Sequence, residues 1–266
     1  MKKLIVTADD VGLDPGMTAG AIEAHRNGIV TACSIVANGV AFDDAVAHLR
    51  DVPALDVGIH LALVEERSLT TGEPMPRDYV RFLLTRKSDP EPELRAQIEK
   101  VLATGLRITH VNGHQHLHML PRIFELVDRL AIEYHIPYIR TVRDFGGHVS
   151  LARRIAINAL SRFGKRRGAD VSSALQLPSG RDVRSPLVAT NDRTIGVANA
   201  GHLDTGTILE LLDYVDGVTE LVTHPGLGVA RYAHWRYEWE RETRALCDPR
   251  LREAIRAKGI ELVAHI

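Results

Sequence analysis

The sequence predicts one α/β domain whose parallel strands curl into a closed or partly open barrel, with a doubly wound open sheet as the alternative. Three observations carry this. Short apolar runs alternate with stretches of helical periodicity, the pattern of parallel strands joined by crossover helices. About seven or eight of the runs have strand length. The 266 residues suffice for one large core, and no repeat, low-complexity tract or linker divides them.

Residues 2–8 (KKLIVTA) read as a buried first strand. Pro15 sits where a helix can begin, and 17–26 carry apolar residues at helical spacing. Strands follow at 32–37 and 55–60, with a helix at 42–49 between them. A charged helix at 92–103 stops before Gly105 and leads to a strand at 108–112. A helix at 121–134 precedes a strand at 138–141, and 150–163 reads as helical before the basic run Lys165, Arg166, Arg167. The remaining strands are expected at 194–198, 219–223 and 260–263, and helices at 205–214, 236–246 and 249–257. Residues 65–90 and 168–191 lack periodicity and are rich in Pro, Gly, Asp and Arg, as substrate loops or surface insertions are.

Hydrophobic residues make up 45% and charged residues 25%, ordinary for a soluble globular protein. A net charge of -1 supplies no general attraction to nucleic acid. Cys33 and Cys247 form neither a disulfide framework nor a CxxC site. The opening MKKLIVTADD lacks the apolar length of a signal peptide, and no run approaches the roughly 20 residues that span a bilayer. The chain therefore reads as cytoplasmic. Thirteen histidines stand out; His25, His48, His135 and His265 read as surface residues.

In a β/α barrel the active site lies at the C-terminal ends of the strands. Here those ends carry Asp9-Asp10, His60, the run Asn112-Gly113-His114-Gln115-His116-Leu117-His118, Arg140, and His224-Pro225-Gly226. Two adjacent carboxylates can divide labour, one binding a divalent cation and the other taking a proton. Neutral imidazoles complete a mixed N/O site suited to zinc and similar ions. A metal ion acidifies water, and a further histidine can protonate a leaving amine. Such a set suits amide hydrolysis. If the histidine run is extended, His114, His116 and His118 share a face; if helical, His114 and His118 do. The 232–239 segment, YAHWRYEW, is either an aromatic sugar platform or a helix start packed on the barrel. Another metallohydrolase, such as a phosphodiesterase, and a silent sugar- or metal-binding protein remain alternatives.

The combination TADD, GIHL, HVNGHQHLHM, IPYIR, ANAGHL and LVTHPG, in that order over nearly the whole chain, resembles the YdjC-like carbohydrate deacetylases. The resemblance implies a distorted TIM-like β/α barrel holding one divalent metal ion, zinc or magnesium. It implies Asp9 as catalytic base, Asp10, His60 and His114 as metal ligands, and His224 as general acid or transition-state stabiliser. Arg140 would orient the catalytic carboxylate or bind substrate. The implied substrate is an N-acetylated amino sugar. Two departures stand out: Val11 follows the Asp pair where the family often has an aromatic residue, and Asn112-Gly113 replaces the Asp-Ser common in chitooligosaccharide enzymes. Residues 7–39 and GIHLALVEERSL look closer to the hopanoid-associated branch (HpnK), which implies a lipid-linked sugar. Leu151, Ile155, Leu160 and Phe163, flanked by Arg153, Arg154, Arg162 and the 165–167 run, would then form a basic amphipathic helix able to touch the inner face of an anionic membrane. The sequence is compatible with a homo-oligomer.

Overall fold

The computed structural model describes residues 1–85, 89–142 and 188–265. Among the described residues nine strands, every pair parallel, form one sheet. They are β1 (Lys2–Val11), β2 (Ala32–Ile35), β3 (Asp56–Leu61), β4 (Ile108–Gly113), β5 (Tyr138–Ile139), β6 (Ala189–Thr190), β7 (Arg193–Ile195), β8 (Val218–Thr223) and β9 (Ile260–Leu262). Their order is β6-β5-β4-β3-β2-β1-β8-β7, with β9 joined to β1 beside the start of the strand. β1 is buried from Leu4 to Val11, which explains its continuous apolar run: both faces of a parallel sheet are covered.

The two ends of this path are successive pieces of one stretch of chain. Ala189 and Thr190 pair with Tyr138 and Ile139, and three residues later Arg193–Ile195 pair with Thr219–Leu221. Asn191, between them, ties the seam. Its amide donates to the Thr141 and Arg193 carbonyls, and its oxygen accepts from Thr141 N–H at 2.7 Å. The curled sheet is thus a distorted TIM-like barrel, and the doubly wound alternative is set aside.

The helices of the described residues are α1 (Pro15–Asn27), α2 (Phe42–Arg50), α3 (Tyr79–Thr85), α4 (Glu91–Leu102), α5 (Pro121–Glu133), α6 (Thr205–Leu211), α7 (Trp239–Leu246) and α8 (Pro249–Ala257). Asp14 caps α1 by accepting from Gly16 N–H, with Pro15 at the first turn as anticipated. Leu94, Ile98 and Val101 of α4 and Val127 and Leu130 of α5 are buried in the main apolar core with Leu4, Val6, Ile35 and Ile59. No helix among the described residues is long and apolar enough to cross a membrane.

Four expectations need correcting or placing. The aperiodic 65–90 segment contains α3 and an antiparallel bridge between Arg67 and Pro74. The strand expected at 194–198 is shorter, giving way to a 3-10 turn at Val197–Asn199. The helix expected from 236 begins at Trp239. The helix at 150–163, the basic run and most of 168–191 lie outside the described residues.

His265 is not a surface residue. It is 5% exposed at the bottom of the barrel, stacked on His110 at 3.7 Å, with Nδ1 2.9 Å from Asp56 Oδ2. Beside it, the His110 ring lies against Gly58, where an added Cβ would come within 2.2 Å of the ring. Gly58→Ala is therefore expected to cost about 1–3 kcal/mol through overpacking, lowering the thermal midpoint by about 2–4 °C per kcal/mol. Circular-dichroism melting measures this; an unchanged midpoint would contradict the packing.

Candidate active site

Consecutive residues of a strand point to opposite faces, yet Asp9 and Asp10 both line one cavity. The backbone makes this possible. Register between β1 and β2 shifts between Ala8 and Val11, and Asp10 has φ 66, in the left-handed region. Such a conformation costs a non-glycine residue on the order of 1–2 kcal/mol and persists where surroundings impose it.

Asp10 is the meeting point of two imidazoles. Its Oδ1 lies 2.8 Å from His114 Nδ1 and 3.2 Å from His60 Nε2. Ligating atoms of Asp10, His60 and His114 all fall within 4.8 Å of one another, and all three residues are buried. One carboxylate and two imidazoles suit zinc or a related divalent ion. Charge points the same way. Burial alone would lower the His114 pKa, but Asp10 and Glu65 outweigh it and push it up to about 10. A pocket that draws a proton onto a buried imidazole is one where a cation is electrostatically favoured. Asp56, His110 and His265 also cluster, but two rings stacked at 19° cannot both aim in-plane lone pairs at one ion.

Asp9 belongs to a separate network. Arg140 donates to both its oxygens, at 2.6 and 2.9 Å, and Ser34 Oγ donates to Oδ1 at 2.8 Å. On its other side Arg140 donates to Glu220, which also accepts from Thr7. Desolvation would raise the Asp9 pKa, but the Arg140 charge, followed by His60, holds it well below the usual carboxylate range. Arg140 is fully buried. The Asn112 side-chain amide lies between the Arg140 guanidinium and His60, one of its atoms 2.6 Å from His60 Nδ1.

His224, at the end of β8, places Nε2 3.9 Å from Asp10 Oδ2. Its ring packs edge-on against Tyr237 at 5.4 Å, and burial lowers its pKa despite the opposing pull of Asp10 and Asp9. The cavity, about 530 Å³, opens above Asp9, Asp10, His60, His114 and His224. Its wall includes Tyr79 and Leu83 of α3 and Trp235 and Tyr237. The YAHWRYEW segment thus divides: Trp235 and Tyr237 face the cavity, while buried Trp239 starts α7.

The structure therefore brings Asp9, Asp10, His60, His114 and His224 to one cavity and places Arg140 directly beneath Asp9. The histidine run is neither extended nor a regular helix. Gln115 and His116 have φ 50 and 56, which kinks a 3-10 segment over His114–Met119. His118 is turned inward, its Nε2 3.0 Å from the Arg140 carbonyl, and is structural. His202 is half-exposed beside Glu238. Sequence reasoning did not pick out Ser34, Glu65 or Glu220 as site residues. Ser34 and Glu220 are inward-facing polar residues of apolar strands, a signal that was available. Glu65 lay in a segment without periodicity.

The family described as YdjC-like protein matches residues 3–257. Three proteins named carbohydrate deacetylase are similar to this chain. The one from Brevibacillus brevis is 41% identical over 51% of this chain and 58% of its own length. That from Oceanobacillus iheyensis is 37% identical over 53% and 66%, and that from Geobacillus stearothermophilus 39% over 54% and 61%. In each case the match spans less than two thirds of the relative. A crystal structure from Enterococcus faecalis V583, provisionally described as a cellobiose-phosphate cleavage protein, superposes with a TM-score of 0.76. It covers 99% of this chain and 97% of that one at 23% identity, a likeness of fold.

Proposed function

The chain belongs to the YdjC-like protein family, and from that premise we propose that it is a metal-dependent hydrolase removing the N-acetyl group from an N-acetylglucosamine-type sugar. The observation that carries this reading is the division of labour at the end of β1. Asp10 sits with His60 and His114 as a ligand set, while Asp9 faces the same cavity in a network of its own. A divalent ion held by Asp10, His60 and His114 would polarise the acetamide carbonyl and acidify water.

The side chains supply the rest. Asp9, kept ionised by Arg140, accepts the proton of the attacking water. Arg140 acts on Asp9 and not on the substrate, because its guanidinium is fully buried. His224, neutral at rest through burial, relays a proton to the departing amine. Trp235 and Tyr237 offer faces on which a sugar ring can stack. No Lys or Arg is among the cavity's described lining residues, which suits a neutral acetamide better than a phosphodiester.

The hopanoid-like branch adds a lipid-linked sugar as the finer reading, and with it peripheral contact at the inner membrane face. Its support here is α3, where Tyr79, Val80, Leu83 and Leu84 are exposed and Tyr79 and Leu83 also border the cavity. An apolar aglycone would meet this rim. The test is amine release by protein stripped of metal and then given zinc, magnesium, manganese or cobalt separately, with a soluble chitooligosaccharide beside an N-acetylglucosaminyl lipid. Metal-dependent release from the lipid alone supports both levels of the reading. Release from the soluble glycan keeps the deacetylase and overturns the lipid substrate. Release from neither, by folded protein with metal bound, overturns the deacetylase.

A further inference from the structure

Glu65 makes two bonds that join different parts of the cavity. One carboxylate oxygen lies 2.8 Å from His114 Nε2, and the other accepts from Trp235 Nε1 at 2.9 Å. The Trp235 indole also lies over the His114 ring, 5.4 Å between centroids and 29° from parallel. The backbone of Glu65 is strained, with φ 71, and is held there by a bond from its own N–H to the Pro76 carbonyl at 2.8 Å. A long side chain in the left-handed region costs on the order of 1–2 kcal/mol. The surrounding loop supports that cost. Glu93 of α4 accepts from Ser68 and from the Leu69 and Thr70 N–H groups, while Gln97 bonds both backbone groups of Ala62.

We propose that Glu65 is the positioning residue of the metal site: it fixes His114 as an Nδ1 ligand and ties that ligand to the Trp235 sugar platform. This rests on the metal-dependent reading above. A neutral imidazole carries one ring proton. His114 turns Nδ1 toward Asp10 and His60, so its proton must sit on Nε2 when Nδ1 gives its lone pair to an ion. Glu65 is the acceptor placed for that proton, the arrangement in which a carboxylate orients a ligating histidine. The second oxygen, held by Trp235, then makes the indole and the imidazole share one anchor.

Glu65→Gln separates the two bonds. The amide keeps one acceptor oxygen, so it can serve Trp235 or His114 but not both. The measurement is Co²⁺ affinity by titration calorimetry, together with the visible spectrum of the bound ion, for wild type, Glu65→Gln and Trp235→Phe. Circular dichroism verifies that each is folded. Wild type is expected to bind one Co²⁺. Glu65→Gln should bind about 10–100-fold more weakly with an altered spectrum. Trp235→Phe, which leaves the His114 acceptor in place, should bind within a few-fold of wild type and show a raised KM with a smaller change in kcat. Equal affinity and spectrum in Glu65→Gln would overturn the positioning role alone. A wild type that binds no Co²⁺ would instead overturn the metal site on which the inference rests.

Discussion

Asp9→Asn is expected to lower kcat by about 10²–10⁴-fold, the range of a lost general base, while one equivalent of metal still binds. The separation follows from geometry. Asp9 makes its bonds to Arg140 and Ser34, whereas Asp10 faces His60 and His114. An asparagine at position 9 keeps an acceptor for one Arg140 N–H and loses the charge. Calorimetric metal titration beside an amine-release assay reads both quantities on the same sample. Loss of metal together with activity would show that the two carboxylates act as one site. Retention of activity would remove Asp9 from the chemistry altogether.

The largest stability effect is expected at Arg140. Its guanidinium lies between Asp9 and Glu220, with all three side chains at most 1% exposed. Arg140→Leu removes the nearest counter-charge of two buried carboxylates and leaves only the His60 and His265 imidazoles beside them, which costs about 3–5 kcal/mol at neutral pH. The pH dependence changes sign with it. In wild type both carboxyls titrate below their usual values. Their contribution is therefore complete above the unfolded pKa, near 4, and is lost as pH falls through the folded values. Without the arginine, burial raises both, so the variant gains stability as pH falls from 7 toward 5. Urea denaturation at the two pH values measures this. Adding Glu220→Gln to Arg140→Leu should recover part of the loss, and a double variant no more stable than the single would contradict the account.

Much of this site was legible because the strands announce themselves and the fold gathers their ends. β1 and β3 each carry near their ends, and β4, β5 and β8 are each followed by, an ionisable residue that lies in or directly beneath one cavity. What the sequence left open has physical reasons. Barrel and open sheet differ only in how the ends of the sheet meet, and that depends on Asn191 and two very short strands. A reader of alternating residues cannot foresee that Asp10 takes a left-handed conformation, the step that turns both carboxylates inward. The histidine run failed both periodic templates because Gln115 and His116 leave regular geometry. His265 looked like any isolated polar histidine; its burial depends on Asp56 and Glu220, far away in the chain. Glu65 was hidden because a loop held by Glu93 and Gln97 of a following helix has no local signature.

The placement of β1 has a consequence for the birth of the molecule. The earliest strand of the sheet is bordered by its two latest: Lys3 pairs with Val218, and Leu4 with Leu262. Until β8 has been made, that side of β1 presents unpaired amide and carbonyl groups along a strand with an apolar run at Leu4–Val6, the kind of edge that recruits other chains. Contacts this distant in sequence also close slowly. The strand carrying both carboxylates is therefore one that a nascent-chain chaperone would have reason to shelter.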